Sequence, residues 1–241
     1  HSTAKYVIMA NCDVVTTIDF NPVLNQHMES GADITLIYSK GYYDSEKNSC
    51  ATILEFDENN HLKDVLVDPQ ISGECNMWLE MFIISRDFLK KIVFEAASRN
   101  QSSFTREILQ GKKDEYKIMG YEHKGIFTRI DSVQSYYNAN QMLLETEKRN
   151  ALFVKNMPIY TKIGDNGPVK YGLDSSIKNS LIADGCVIEG TVENSILFRG
   201  VKVGKGTVVK NCVLLQGTKV GSNCSISYVI TDKNVEVSND K

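Results

Sequence analysis

Three observations predict an α/β domain followed by a left-handed parallel β-helix built of hexapeptide repeats. Short apolar runs alternate with amphipathic stretches from Lys5 to about Arg149. A stretch from Lys155-Asn-Met-Pro-Ile-Tyr through Gly164-Asp-Asn-Gly-Pro168 has the Gly, Pro and Asn content of a linker. Beyond Ser175, aliphatic residues recur every six positions. The resulting boundaries are residues 1–150 for the α/β part, 151–172 for the linker and 173–241 for the coil.

In the first part, the runs Tyr6–Ala10, Ile34–Tyr38, Ala51–Glu55 and Met81–Ile84 read as strands. Pro22–Ser30, Arg86–Ser98 and Ser132–Glu147 read as helices, the last presenting Val133, Tyr136, Tyr137, Met142, Leu143 and Leu144. Strands that alternate with helices imply a mainly parallel sheet with helices on its faces.

In the second part, Ile182 and Ile188, Leu197 and Val203, then Leu214, Val220 and Ile226 keep the six-residue period, with a slip of one near Val208. The segments Ile182-Ala-Asp-Gly-Cys186, Val203-Gly-Lys-Gly-Thr207 and Val220-Gly-Ser-Asn-Cys224 repeat one theme: aliphatic, small, polar, Gly or Asn, small. Each hexad is then one short flat strand, the aliphatic residue fills a narrow interior, and Gly or Asn makes the corner. Three hexads would close one turn.

A hydrophobic content of 42% supports a real core. The net charge of −3, without a Lys/Arg cluster, excludes the basic footprint of a nucleic-acid binder. No apolar run reaches the roughly 18 residues of a membrane span. Cys12, Cys50, Cys75, Cys186, Cys212 and Cys224 lie apart without CxxC pairing, so free thiols and a cytosolic setting are expected. The opening His1-Ser-Thr, without Met and entering a strand within five residues, reads as the start of a fragment.

Several segments resemble, in order and spacing, the sugar-1-phosphate nucleotidyltransferases and specifically the bacterial glucose-1-phosphate adenylyltransferases. Tyr6-Val-Ile-Met-Ala-Asn-Cys-Asp13 is similar to the strand ending in Gly-Asp-His that carries that family's metal-binding aspartate. Ile18-Asp-Phe-Asn-Pro-Val-Leu resembles its Met-Asp-Tyr helix start, and residues 57–69 resemble its turn and strand ending in Glu-Lys-Pro. Phe104-Thr-Arg-Glu-Ile-Leu109 resembles the Asp-Phe-Gly-Lys-Asp-Ile helix, and residues 127–140 the Trp-Arg-Asp-Val-Gly-Thr segment with its following helix. The degenerate pattern is closest to the regulatory-type subunit found beside a catalytic one in some Gram-positive bacteria. The first 150 residues would then be the C-terminal part of the nucleotidyltransferase domain.

The resemblance implies nucleotidyl transfer, which needs a phosphate-cradling Gly-rich loop, a Mg²⁺ clamp and cationic side chains. The loop is absent from this chain, and in the family it lies upstream, so the chain is expected to be inactive alone. Asp13 is the surviving candidate ligand for Mg²⁺, while the partner aspartate falls on Arg129, with Asp131 a shifted candidate. The lysine of Glu-Lys-Pro, a sugar-phosphate contact in the family, is Asp68 here. Losing that attraction and adding a repulsion each amounts to up to about 4 kcal/mol for unit charges near 4 Å at an effective dielectric of about 20. Glu80 replaces a glycine beside the sugar, and Cys12-Asp13-Val14 departs from Gly-Asp-His. Mg²⁺ is accordingly not expected to be bound by this stretch of chain.

Trp78, the only tryptophan, would border the sugar pocket either as a stacking residue or as core. Arg106, Lys124 and Arg129 form either an anion site for a phosphorylated effector or solvated surface. The role implied is a regulatory subunit of glucose-1-phosphate adenylyltransferase, partnered by its catalytic subunit in a homo- or hetero-oligomer and responsive to a sugar phosphate or nucleotide. An active adenylyltransferase at full length is the alternative. A hexapeptide acyltransferase, a third class, needs a histidine base near the coil, but His1, His27, His61 and His123 all precede residue 151.

Overall fold

The computed structural model describes residues 3–46, 51–161 and 163–241; His1 and Cys50 lie outside the described residues. The chain divides into two compact units, His1–Asp131 and Ser132–Lys241. No helix among the described residues is long and apolar enough to cross a membrane.

The first unit is built on a six-stranded sheet. Its strands are β1 (Tyr6–Ala10), β3 (Ile34–Asp44), β4 (Thr52–Phe56), β5 (Leu62–Val67), β6 (Ser72–Ser85) and β7 (Ile118–Glu122). Their order is β5-β4-β6-β3-β7, with β1 also paired to β6. Only β3 and β7 run parallel; β1, β3 and β4 all pair antiparallel to β6, and β4 to β5. The sheet is therefore mixed, which corrects the mainly parallel sheet expected from the strand and helix alternation. The strands that reverse direction, β5 and the first half of β6, carry Lys63, Asp64, Glu74 and Asn76, so they lack the continuous apolar run of a buried parallel strand.

Side chains alternate across the sheet. Ile34, Leu36, Trp78, Phe82 and Ile84 pack on one side with Ile92 of helix α2 (Arg86–Ser98) and with Ile108 and Leu109 of a π-helix, Phe104–Gln110. Ile37, Leu79, Met81 and Ile83 pack on the other with Val23 of helix α1 (Phe20–Ser30). Both α-helices start as their sequences dictate: Asp19 Oδ1 accepts from Asn21 N–H at 2.9 Å and Ser85 Oγ from Phe88 N–H at 3.2 Å, satisfying otherwise orphaned donors. A two-stranded ribbon of β2 (Val14–Thr16) and β8 (Phe127–Arg129) completes the unit.

In the second unit, the expected single helix is two: α3 (Val133–Met142) and α4 (Thr146–Leu152). The break is at Leu143, whose carbonyl accepts from Arg149 Nη1 at 2.9 Å. Three parallel sheets then wrap a common interior, forming a β-solenoid of about four coils. Ile188, Val192, Leu197, Val203, Val209, Leu214 and Val220 fill it, together with Cys186, Cys212 and Cys224.

Three columns of left-handed residues form the corners: Asn179, Asn194, Asn211 and Tyr228; Gly185, Gly200, Gly217 and Asn234; Gly206, Asn223 and Asp240. Gly, Asn and Asp are the residues that adopt this conformation at least cost. The register gives 17 residues per coil over most of the solenoid, as Val203 pairs with Val220 and Val209 with Ile226. Two sides are hexads and the third, at the first corner column, is a pentad, so the slip seen in the sequence belongs to the coil itself and three hexads per turn is corrected. The coil from Lys170 to Val187 also has 17 residues, but the next has 15, because Val187 pairs with Lys202. This shorter coil turns at Glu189-Gly190, where a Cβ on Gly190 would stand 2.3 Å from Thr207 O, so only glycine fits beneath the next coil.

Candidate functional site

The candidate site residues lie at the junction of β6 with the β2–β8 ribbon. Pairing of Val14 with Arg129 puts Asp13 beside Arg129, and Ile130 N–H donates to Asp13 O at 2.7 Å. From the sheet, β6 contributes a bulge. Ile37 pairs with Met81 while Tyr38 pairs with Trp78, leaving Leu79 and Glu80 looped out of the ladder. Glu80 has φ of 54°, a conformation that costs a non-glycine residue about 1–2 kcal/mol. The bulge turns its carboxylate toward the ribbon.

Arg129 joins these elements. Its Nη1 is 3.1 Å from Glu80 Oε1, its Nε is 3.7 Å from Asp13 Oδ2, and its Nη2 donates to Trp78 O at 3.1 Å. The side chains are only 16% exposed for Arg129, 24% for Glu80 and 30% for Asp13, so water screens these pairs less than it would on an open surface. The remaining Glu80 oxygen, Oε2, accepts from Asn11 Nδ2, and Asn11 N–H donates to Glu80 O at 3.3 Å. Sequence reasoning missed Asn11; its placement two residues before Asp13 on the same strand exit was the available signal. Asp13 Oδ1 is buried without a protein hydrogen-bond partner.

Three predicted residues thus converge: Asp13, Glu80 and Arg129. Trp78 contributes its carbonyl, while its ring is buried in the core, 6.5 Å from Phe82, with Nε1 donating to Met81 O at 3.3 Å. Asp68 takes no part in these described contacts. It is exposed at the end of β5, left-handed at φ of 47°, its N–H donating to Ala51 O at 2.9 Å. Arg106 on the π-helix and Lys124 between β7 and β8 are exposed, and Asp131 is exposed beyond the ribbon.

The donor set bears on the Mg²⁺ that the resemblance implies. Mg²⁺ requires several oxygen ligands in near-octahedral array. The buried Asp13 Oδ1 would suit a cation, but Asp13 Oδ2 and Glu80 Oε1 face the guanidinium, and Glu80 Oε2 faces an amide N–H. One carboxylate oxygen remains, beside a fixed positive charge whose repulsion amounts to about 4 kcal/mol per unit charge at 4 Å and an effective dielectric of about 20. These residues do not fit a divalent cation. Among the described residues no group of three or more His, Cys, Asp or Glu side chains is arranged to hold a metal.

The neighbouring ribbon is tied to the sheet through His123, which is buried, with Nε2 3.0 Å from Thr16 Oγ1. Burial lowers its pKa from the ordinary 6.5. A depression of 420 Å³ beside it is lined by Lys40, Glu122, Lys124 and Gly125, and its Lys40 is paired with Glu122 at 2.8 Å.

The fold is thus a mixed-sheet α/β unit, with Asp13 at a strand exit facing the β2–β8 ribbon, together with a hexapeptide solenoid. Residues 169–241 match the family described as GlmU-like, C-terminal hexapeptide. The chain is 36% identical to the glycogen biosynthesis protein GlgD of Bacillus subtilis (strain 168) over 236 residues, covering 98% of this chain and 58% of that protein. It is 34% identical to GlgD of Geobacillus stearothermophilus over 208 residues, 86% of this chain and 50% of that protein. It is 29% identical to the glucose-1-phosphate adenylyltransferase of Mycoplasma mobile over 208 residues, 85% of this chain and 54% of that protein. Over the span it covers, the chain is similar to GlgD proteins and, at lower identity, to glucose-1-phosphate adenylyltransferases. It spans between half and three fifths of the length of these relatives.

Proposed function

We propose that this chain is part of a regulatory subunit that acts beside a catalytic glucose-1-phosphate adenylyltransferase in ADP-glucose synthesis for glycogen, and that it does not itself transfer nucleotidyl groups. The observation that carries this reading is Arg129, drawn between Asp13 and Glu80 at the strand exit where the resemblance expects a metal clamp. The arginine there opposes the metal cation, while an acidic Asp68 at the position of the sugar-phosphate lysine and a left-handed, acidic Glu80 at that of a glycine oppose an anionic substrate. The solenoid, with its ladders of repeated coils, offers a regular surface for assembly with the catalytic subunit, in keeping with the need of repeat arrays to cover their ends. A cytoplasmic location follows from the metabolic setting.

The test is ADP-glucose formation from ATP, glucose-1-phosphate and Mg²⁺ by the full-length protein, alone and mixed with the catalytic subunit of the same organism. Silence alone, with a changed rate or effector response on mixing, is the expected result. Robust turnover by the protein alone overturns the proposal.

A further inference from the structure

Arg129 is held from three sides by groups that come from two separate elements: Asp13 at the start of β2, and Glu80 and the Trp78 carbonyl on the bulge of β6. Two carboxylates converging on one partly buried point ordinarily require a cation there, since like charges in a poorly solvated place repel. Here the chain supplies that cation itself. The planar guanidinium suits the place, because its fork of N–H groups can address two carboxylates and a carbonyl at once. Glu80 is kept in a left-handed conformation with its carboxylate on Arg129, which ties the backbone outlier to the charge.

From this geometry we infer that Arg129 is the resident cation of the site: Asp13 and Glu80 hold its guanidinium in place of a divalent metal, making a metal-independent clamp that fastens the β2–β8 ribbon to the β6 bulge. The inference deepens the non-catalytic reading above, on which it rests, by stating what occupies the site instead. It has two consequences. The wild-type chain ignores divalent ions and chelators, and removal of the guanidinium leaves two unneutralised carboxylates, with Asp13 Oδ1 already unpartnered, that accept a divalent ion.

The experiment uses Mn²⁺ as probe, with bound ion counted by electron paramagnetic resonance and stability followed by circular dichroism. Wild type is expected to bind no Mn²⁺ at millimolar concentration and to keep its Tm in EDTA. Arg129→Ser is expected to have a lower Tm, to gain Mn²⁺ binding by at least tenfold, and to recover part of its Tm when Mn²⁺ is added; Asp13→Asn in that background abolishes the gain. A folded Arg129→Ser that binds no more Mn²⁺ than wild type overturns the inference. Should Arg129→Ser not fold, the wild-type chain decides it: no Mn²⁺ bound at millimolar concentration supports the clamp, and Mn²⁺ bound there and lost in Asp13→Asn overturns it. Turnover of ADP-glucose is a separate readout, so a catalytically active protein that excludes Mn²⁺ from Asp13 refutes the functional reading and leaves the clamp standing.

Discussion

Glu80 allows the energetics of the site to be tested by two substitutions that differ by one methyl group. Glu80→Ala removes the contact with Arg129 and the acceptor for Asn11 while leaving a side chain in the left-handed region. Hydrogen bonds to charged groups contribute about 1.5–3 kcal/mol, and partial exposure of Glu80 reduces this to about 1–2 kcal/mol. Glu80→Gly loses the same contact but relieves the backbone, worth about 1–2 kcal/mol, against about 0.5–1 kcal/mol for the greater freedom of glycine in the unfolded chain. The glycine variant should therefore be about 0.5–1 kcal/mol more stable than the alanine variant, and both less stable than wild type. At about 2–4 °C per kcal/mol for a chain of this size, Glu80→Ala lowers Tm by about 2–8 °C and Glu80→Gly by about half as much. Thermal melts and urea midpoints of the three proteins measure this. An alanine variant as stable as the glycine variant, or either one more stable than wild type, would refute the reasoning.

Leu214 is fully buried in the solenoid interior, so Leu214→Ala should destabilise the coil unit by about 2–5 kcal/mol, read from urea unfolding, with the larger value if the narrow interior cannot collapse. His27 is buried against Thr35, and desolvation lowers its pKa from 6.5. The unfolded chain then binds a proton that the folded one refuses, so stability is complete above about pH 6.5 and falls as the pH drops from there toward the lower folded value; the slope of Tm against pH in this window should flatten in His27→Gln. Burial pushes the Cys186 and Cys212 thiols up and seals them in the coil interior, whereas Cys12 is exposed. Mass spectrometry after brief alkylation of native protein should find Cys12 modified and Cys186 and Cys212 untouched until denaturant is added.

Both architectures were legible in the sequence because each depends on a local period. The solenoid declares itself through aliphatic residues whose spacing is set by the wall of the coil, and its corners through Gly and Asn. What stayed hidden was the length of a turn, since the pentad at Asn194 or Asn211 differs from a hexad by one residue whose absence leaves no chemical trace. The sheet direction was misjudged for a related reason. Pairing is a long-range property, and the polar half of β6 that pairs with β3 has neither the apolar run nor the alternation that marks a buried strand.

The site was partly legible. Asp13, Glu80 and Arg129 stood out only through the resemblance, and their convergence needed the bulge at Leu79-Glu80, which nothing in the local sequence announces. Trp78 shows how neighbours along a strand diverge: its ring enters one side of the sheet, while Glu80 two residues later is turned by the bulge toward the ribbon.

The short coil that turns at Glu189-Gly190 interrupts an otherwise 17-residue period. From Val203 onward each coil repeats the last in size and corner pattern, so a 17-residue unit can be duplicated or deleted there without disturbing its neighbours. A 17-residue copy placed across Gly190 would meet a turn of different length, where any side chain would put its Cβ 2.3 Å from Thr207 O. The 15-residue coil through Gly190 therefore stands between a 17-residue coil before it and 17-residue coils after it, a break in period that copying or removing whole units elsewhere leaves in place.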